Sequence, residues 1–163
     1  MLSDVEERLE LLEAELAIRR LVAVYCHGAD KRDLDRFMSV WASNASWVLS
    51  DEVTFRGHDA IASVVRRQWE AFAGYVHWTT NHVVEVDGDR ARGECDVAVA
   101  VQLHNGQWLH SGGTYIDEYV RVDGCWLIAR RDARRGFDID PPPEPHDVPV
   151  RFDDLLSSTD EEK

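Results

Sequence analysis

No apolar run in these 163 residues approaches the roughly 20 that a membrane-spanning helix requires. The N-terminus is an acidic amphipathic segment without the basic and apolar regions of a signal peptide, so a cytoplasmic protein is expected. Cysteine is scarce: Cys26, Cys95 and Cys125 are odd in number, far apart and in no C-x-x-C arrangement, which favours free thiols over disulfides or a metal cage. G-x-G-x-x-G, a phosphate loop and G-x-S-x-G are all missing, so redox-cofactor, nucleotide and serine-hydrolase chemistry have no support. His82, His104 and His110 lack ligand spacing, and neither a metal nor an organic cofactor is expected. Basic residues are few against acids, 18 to 31, for a net charge of −13. Such a balance repels phosphate backbones and anionic lipid, which argues against nucleic acid or a membrane surface as partner. The Arg130-Arg131 and Arg134-Arg135 pairs are a local exception, but alternation splits each pair between faces.

What is present suits one domain: 44% hydrophobic residues in a chain long enough for one core and short for two. Ser3-Asp4-Val5-Glu6 has the form of a capping box and predicts the start of a helix over about residues 4–27. Leu2, Val5, Leu9, Leu12 and Leu16 recur at steps of three and four, a heptad-like seam that suits either a neighbouring subunit or the protein's own sheet. Asp33 or Asp35 opens a short second helix through Phe37, Met38 and Trp41. A strand is predicted over 45–49, and a third helix over 58–73 ended by Gly74.

From Val76 the period changes to two. Asp87-Gly88, Asn105-Gly106 and Asp123-Gly124 are dipeptides that tight hairpins favour, and they separate four expected antiparallel strands near 76–86, 90–103, 108–121 and 125–134. Helices followed by a long meander define an α+β chain, and a strongly curved sheet closing over three N-terminal helices encloses a pocket. After Gly136 the pattern dissolves: Pro141, Pro142, Pro143 and Pro145 cannot extend a ladder. Residues 1–136 are thus expected to form the domain, and 137–163, with a net charge of −7, a Pro-rich acidic tail, partly disordered.

The stretch His77-Trp78-Thr79-Thr80-Asn81 falls in the first of these strands. Alternation sets His77, Thr79 and Asn81 on one face, polar where a core should be apolar, and unpaired burial of such groups costs roughly 1–3 kcal/mol each. A ligand cavity resolves the conflict, with His77 as its base and Thr79 and Asn81 beside the substrate. His27, three residues before Asp30, and Trp47, in the strand over 45–49, complete the expected substrate-binding set.

The end of the first helix with Gly28-Ala29-Asp30-Lys31, then Asp33-Leu34-Asp35-Arg36-Phe37, His77-Trp78-Thr79-Thr80-Asn81 and Asp123-Gly124-Cys125-Trp126, resembles the SnoaL-like (NTF2-like) α+β cone family over about residues 10–136. Within it the chain is similar to the branch of scytalone dehydratase, bile-acid 7α-dehydratase and hexachlorocyclohexane dehydrochlorinase. The resemblance implies an Asp-His dyad at Asp30 and His77 that removes a proton while hydroxide or chloride departs, without metal or organic cofactor. It implies an arginine at Arg131 in the last strand and an assisting tyrosine at Tyr25. It also implies a homo-oligomer, trimer or dimer. Two scytalone dehydratase tyrosines fall at Ala29 and near Leu49 here, and the dehydrochlorinase lysine is Tyr25.

The chemistry is consistent with the dyad on its own terms. An imidazole titrates near neutrality, and a carboxylate accepting its other N–H fixes the tautomer and stabilises the imidazolium. Arg131 shares parity with Leu127 and Ala129 and is expected to face the pocket, where a guanidinium takes up developing charge. For Tyr25 and Asp30 to cooperate across five residues, the helix is expected to loosen near Gly28. The expected activity is a cofactor-independent lyase acting on a small apolar cyclic compound. The alternatives are a non-catalytic binder or scaffold like a ring-hydroxylating dioxygenase β subunit, or an isomerase using the same dyad.

Overall fold

A computed structural model of the chain describes residues 4–133 and 135–139. Helix α1 (Asp4–Asp30) buries Ala14, Ile18, Val22, Tyr25, Cys26 and Ala29 along one stripe. Ser3, the proposed cap, lies outside the described residues. The helix runs unbroken through Gly28, so the expected loosening is absent. Gly28 is instead a point of close approach: a Cβ there would sit 2.6 Å from both N and Cα of Phe37. That residue is fully buried on helix α2 (Leu34–Met38), which Asp33 caps by accepting the Arg36 N–H at 3.0 Å. Trp41 does not end this helix but opens strand β1 (Trp41–Val48).

A three-residue strand β2 (Thr54–Arg56), too short to show alternation, pairs with β1 and leads into helix α3 (Gly57–Ala71). Four long strands follow: β3 (Gly74–Asp87), β4 (Arg90–Gln102), β5 (Trp108–Val122) and β6 (Cys125–Asp132), close to the predicted spans. Glycines 88, 106 and 124 all have positive φ at the hairpin turns, the conformation that singled them out. The strand order is β2-β1-β6-β5-β4-β3, and the helices pack on this curved sheet as in a cone. The sheet is mixed rather than antiparallel throughout, because β1 pairs with β6 in parallel. The intervening helix and strands supply the long crossover that parallel pairing needs.

Strand β7 (Arg135–Ile139) pairs with β5 between His110 and Gly113. The ladder therefore continues past the Gly136 boundary expected from sequence. The described pairing runs to Ile139, and the rest of the tail lies outside the described residues. Strands β6 and β7 share one edge of β5: β6 pairs with Ile116–Val122 and β7 with its earlier part.

The register of β3 slips between Thr80 and Val83, where Asn81 adopts φ 54°. Such a bulge inverts the faces beyond it. Residues 77 and 79 are half-buried as expected, but Asn81 is exposed and His82, Val84 and Val86 take the sheltered face. Gly93 on β4 makes room for the bulge, since a Cβ there would meet the Val83 carbonyl oxygen at 2.7 Å. The core between helices and sheet is aromatic: Tyr25, Phe37, Trp41 and Trp47 meet at ring-centroid distances of 5.0–6.2 Å. Full burial of a side chain such as Phe37, Ile18 or Ile128 contributes about 1.5–3 kcal/mol each. No described helix is long and apolar enough to cross a membrane.

Candidate active site

Where the sheet curves away from the helices it leaves a cavity of about 660 Å³. Tyr25, Phe37, Trp47 and Trp69 line it together with a patch of sheet made of Tyr75 and His77 of β3, Val97, Val99 and Val101 of β4 and Leu109 of β5. Gln68, His110 and Ser111 add a few polar groups. A largely apolar chamber with sparse polar points suits a small apolar ligand.

His77 is tied to Asp30 at two atoms. Its Nδ1 lies 2.5 Å from Asp30 Oδ1, and its backbone N–H donates to Asp30 Oδ2 at 3.0 Å. Asp30 ends α1 and His77 sits near the start of β3, so the pair also pins helix to sheet. A carboxylate at Nδ1 favours the tautomer with its proton there, which leaves the Nε2 lone pair as the base of a neutral ring. Tyr75 stacks on His77 at 6.3 Å with planes 10° apart, and Tyr25 approaches it edge-on at the same distance. The ring is thus held on three sides while lining the cavity.

Arg131 is not where parity had put it. The register of β6 slips at Ala129, between the pairs Glu118 with Arg130 and Tyr119 with Ile128, and this moves Arg131 onto the core face of Trp126 and Ile128. It is fully buried and forms no part of the cavity wall. Its guanidinium packs against both the Tyr25 and Tyr115 rings, at 4.2 and 4.1 Å from their centroids. Its Nε and Nη2 donate to the two oxygens of Asp117 at 2.9 and 2.6 Å. Burial pushes the Arg131 pKa down, but Asp117 more than offsets this and the group stays a cation. Burial also raises the phenols of Tyr25 and Tyr115, so both stay neutral; both residues line the cavity, their hydroxyls are bonded to each other, and Tyr25 is also bonded to Arg131.

The buried polar chain extends further. Tyr119 donates to Asp117 Oδ2 at 2.8 Å, and His82 Nε2 lies 3.2 Å from the Tyr119 hydroxyl. With the phenol proton given to Asp117, His82 satisfies Tyr119 as the neutral Nε2–H tautomer. Burial lowers the pKa of His82, in keeping with a neutral ring. Asp117, Tyr115, Tyr119 and His82 were not among the expected site residues. A signal existed in the alternation of Tyr115, Asp117 and Tyr119 along β5, which puts an acid on an aromatic core face.

Among the remaining expectations, Trp47 lines the cavity. His27 is exposed on α1 and is not part of the wall. Thr79 and Asn81 also miss it: both border a separate shallow depression beside Arg19, and Asn81 donates to Asp96 at 2.9 Å. Thr79 lies beyond the reach of the cavity along β3, and the bulge turns Asn81 outward. Among the described residues, no group of three His, Cys, Asp or Glu side chains is placed to hold a metal ion. Cys26 is a buried thiol whose pKa burial pushes up to about 12, which makes it a poor nucleophile.

A helix-backed curved sheet with an apolar cavity between the layers defines the α+β cone class. The chain belongs to the SnoaL-like domain family, whose model matches residues 10–132. It is 30% identical to the gamma-hexachlorocyclohexane dehydrochlorinase of Sphingobium indicum over 128 residues, 77% of this chain and 82% of that one. Among solved structures, it superposes on a type 2 hexachlorocyclohexane dehydrochlorinase with a TM-score of 0.76 at 26% identity, covering 83% of this chain and 98% of that one. A chain from Novosphingobium aromaticivorans provisionally assigned as a scytalone dehydratase shares the fold, with a TM-score of 0.74 at 22% identity over 81% of this chain and 89% of that one.

Proposed function

We propose that this protein is a cofactor-independent lyase that eliminates water or halide from a small apolar cyclic substrate, with His77 as the base. The observation that carries the reading is the position of His77: its Nδ1 is occupied by Asp30, and the ring borders a cavity walled mainly by aromatic and aliphatic side chains. In the proposed step, Nε2 takes a proton from a substrate carbon. The C–H electrons become the new carbon–carbon π bond, and the leaving group departs with its own bonding pair. Asp30 stabilises the resulting imidazolium, which returns its proton to water.

The departing group is assigned to the side of Tyr25 and Tyr115. The Tyr25 hydroxyl, which accepts from Tyr115 and Arg131, keeps its own proton to donate to a leaving oxygen or halide. Similarity to dehydrochlorinases supports elimination as the reaction class. The apolar wall supports a neutral cyclic substrate.

The test is a panel of halogenated cyclohexanes and cyclic β-hydroxy ketones, followed by gas chromatography with mass detection, for the wild type and His77→Gln. An alkene with release of halide or water by the wild type, and loss of turnover in the folded variant, is expected. Equal turnover by the variant removes His77 from the mechanism. Binding of panel members without turnover favours a carrier.

A further inference from the structure

We propose that the N-terminal half of α1 is an assembly helix, which pairs in parallel and in register with the same helix of a second copy of this chain. The proposal is independent of the chemistry of the cavity. Every residue from Asp4 to Glu13 is exposed, and burial begins only at Ala14. At 1.5 Å per residue, about 15 Å of helix therefore projects beyond the packed body. A lone helix of that length is marginal in water. The family match begins only at residue 10, so six of these ten residues precede the shared domain.

The projection carries its own apolar stripe. Val5, Leu9, Leu12 and Leu16 are exposed by 69, 53, 58 and 67%, an unusual state for four large apolar side chains in a row. Their 4-3-4 spacing makes Leu9 and Leu16 a positions and Val5 and Leu12 d positions of a heptad. At 100° per residue this seam lies roughly 140° around the axis from the stripe of Ala14, Ile18 and Val22 that packs into the body. The bodies of two paired chains would thus sit on the outside, clear of each other.

The flanking charges choose the occupant and its direction. In a parallel, in-register pair, each g position faces the e position five residues later on the partner helix. Arg8 then faces Glu13 of the second copy, and Glu15 faces Arg20, both opposite in sign. An antiparallel pairing on the same seam would set Glu6 against Glu13. Contacts within the helix leave these groups available: Arg8 is 4.0 Å from Asp4, and Glu15 uses only Oε1 towards Arg19. The acids along this segment also disfavour an anionic membrane as the occupant.

Cysteine cross-linking of the full chain tests the pairing. Cys125, the exposed thiol, is first replaced by serine. Val5→Cys in this background, under mild oxidation, is expected to form a covalent dimer on the order of a hundredfold faster than Glu7→Cys on the opposite face of the helix. Adding Arg8→Glu should slow cross-linking, and Arg8→Glu with Glu13→Arg should restore it, because only the parallel register exchanges those two sites. Circular dichroism confirms that each variant folds. Equal rates at residues 5 and 7 overturn the pairing, whether the chain sediments as a monomer or associates through another face. Failure of the double variant to recover overturns the parallel register.

Discussion

Asp30 engages His77 with both oxygens, one on the ring and one on the backbone of the same residue, across 47 positions of sequence. The ring contact sets the tautomer and the backbone contact sets the distance. Substitution of either partner therefore has different expected consequences. His77→Gln removes the base and should lower turnover by roughly 10²–10⁴-fold without loss of fold. Asp30→Asn retains an acceptor at one atom only, and its amide nitrogen competes with Nδ1–H. It should lower kcat more than it raises KM, as steady-state kinetics on an active panel compound would show.

Arg131 and Asp117 form a buried ion pair, at 0 and 1% exposure. Removing one partner strands a charge, and Arg131→Met alone should cost about 3–5 kcal/mol. The double variant Arg131→Met with Asp117→Leu should regain much of that loss, since neither charge is then buried alone. Urea unfolding of the two single variants and the double closes the cycle. Additive losses would mean that the two groups do not depend on each other.

His82 gives stability a pH dependence whose sign follows from its burial. Its pKa in the folded chain is below the ordinary 6.5, so between those values the unfolded chain binds more protons. Its contribution is complete above about pH 6.5 and is lost as pH falls through the folded value. Unfolding free energies for the wild type and His82→Gln, measured from pH 7.5 downward, should converge as the medium becomes acidic. A constant gap between them would show that His82 does not titrate on unfolding.

Gly28→Ala tests the approach of the two N-terminal helices. Alanine would ordinarily favour the helix by about 1 kcal/mol. Here its methyl would stand 2.6 Å from backbone atoms of Phe37, which cannot swing aside as the end of a side chain can. The net expectation is a destabilisation of about 1–3 kcal/mol by thermal or urea unfolding. Turnover should also fall, because Asp30 lies two residues further along α1.

Local chemistry made much of this architecture readable in advance. The Asp-Gly and Asn-Gly turns located the four long strands, and the apolar spacing located α1. The face of His77 could be read because it lies before any irregularity in β3, whereas its pairing with Asp30 was implied by the family resemblance. The departures cluster where the pleat is interrupted. Alternation assumes one residue per step, and the slips at Asn81 and Ala129 break that assumption, which misplaced Asn81 and gave the wrong grounds for Arg131. Asn81 and Gly93 carried hints, since asparagine tolerates positive φ and an in-strand glycine often marks a bulge. The parallel pairing of β1 with β6 is set by the whole chain's path, so no local pattern reported it. Strand β7 was hidden by the prolines that follow it.

The kink at Asn81 divides β3 into two parts with separate duties. Upstream, the sheltered side chains Tyr75 and His77 look into the chamber, whereas downstream His82, Val84 and Val86 pack beneath α1 and beside β4. Substitutions before the kink therefore act first on what the chamber admits, and those after it act first on how firmly the scaffold is held. A single ribbon of backbone thus offers two handles, one for selectivity and one for endurance.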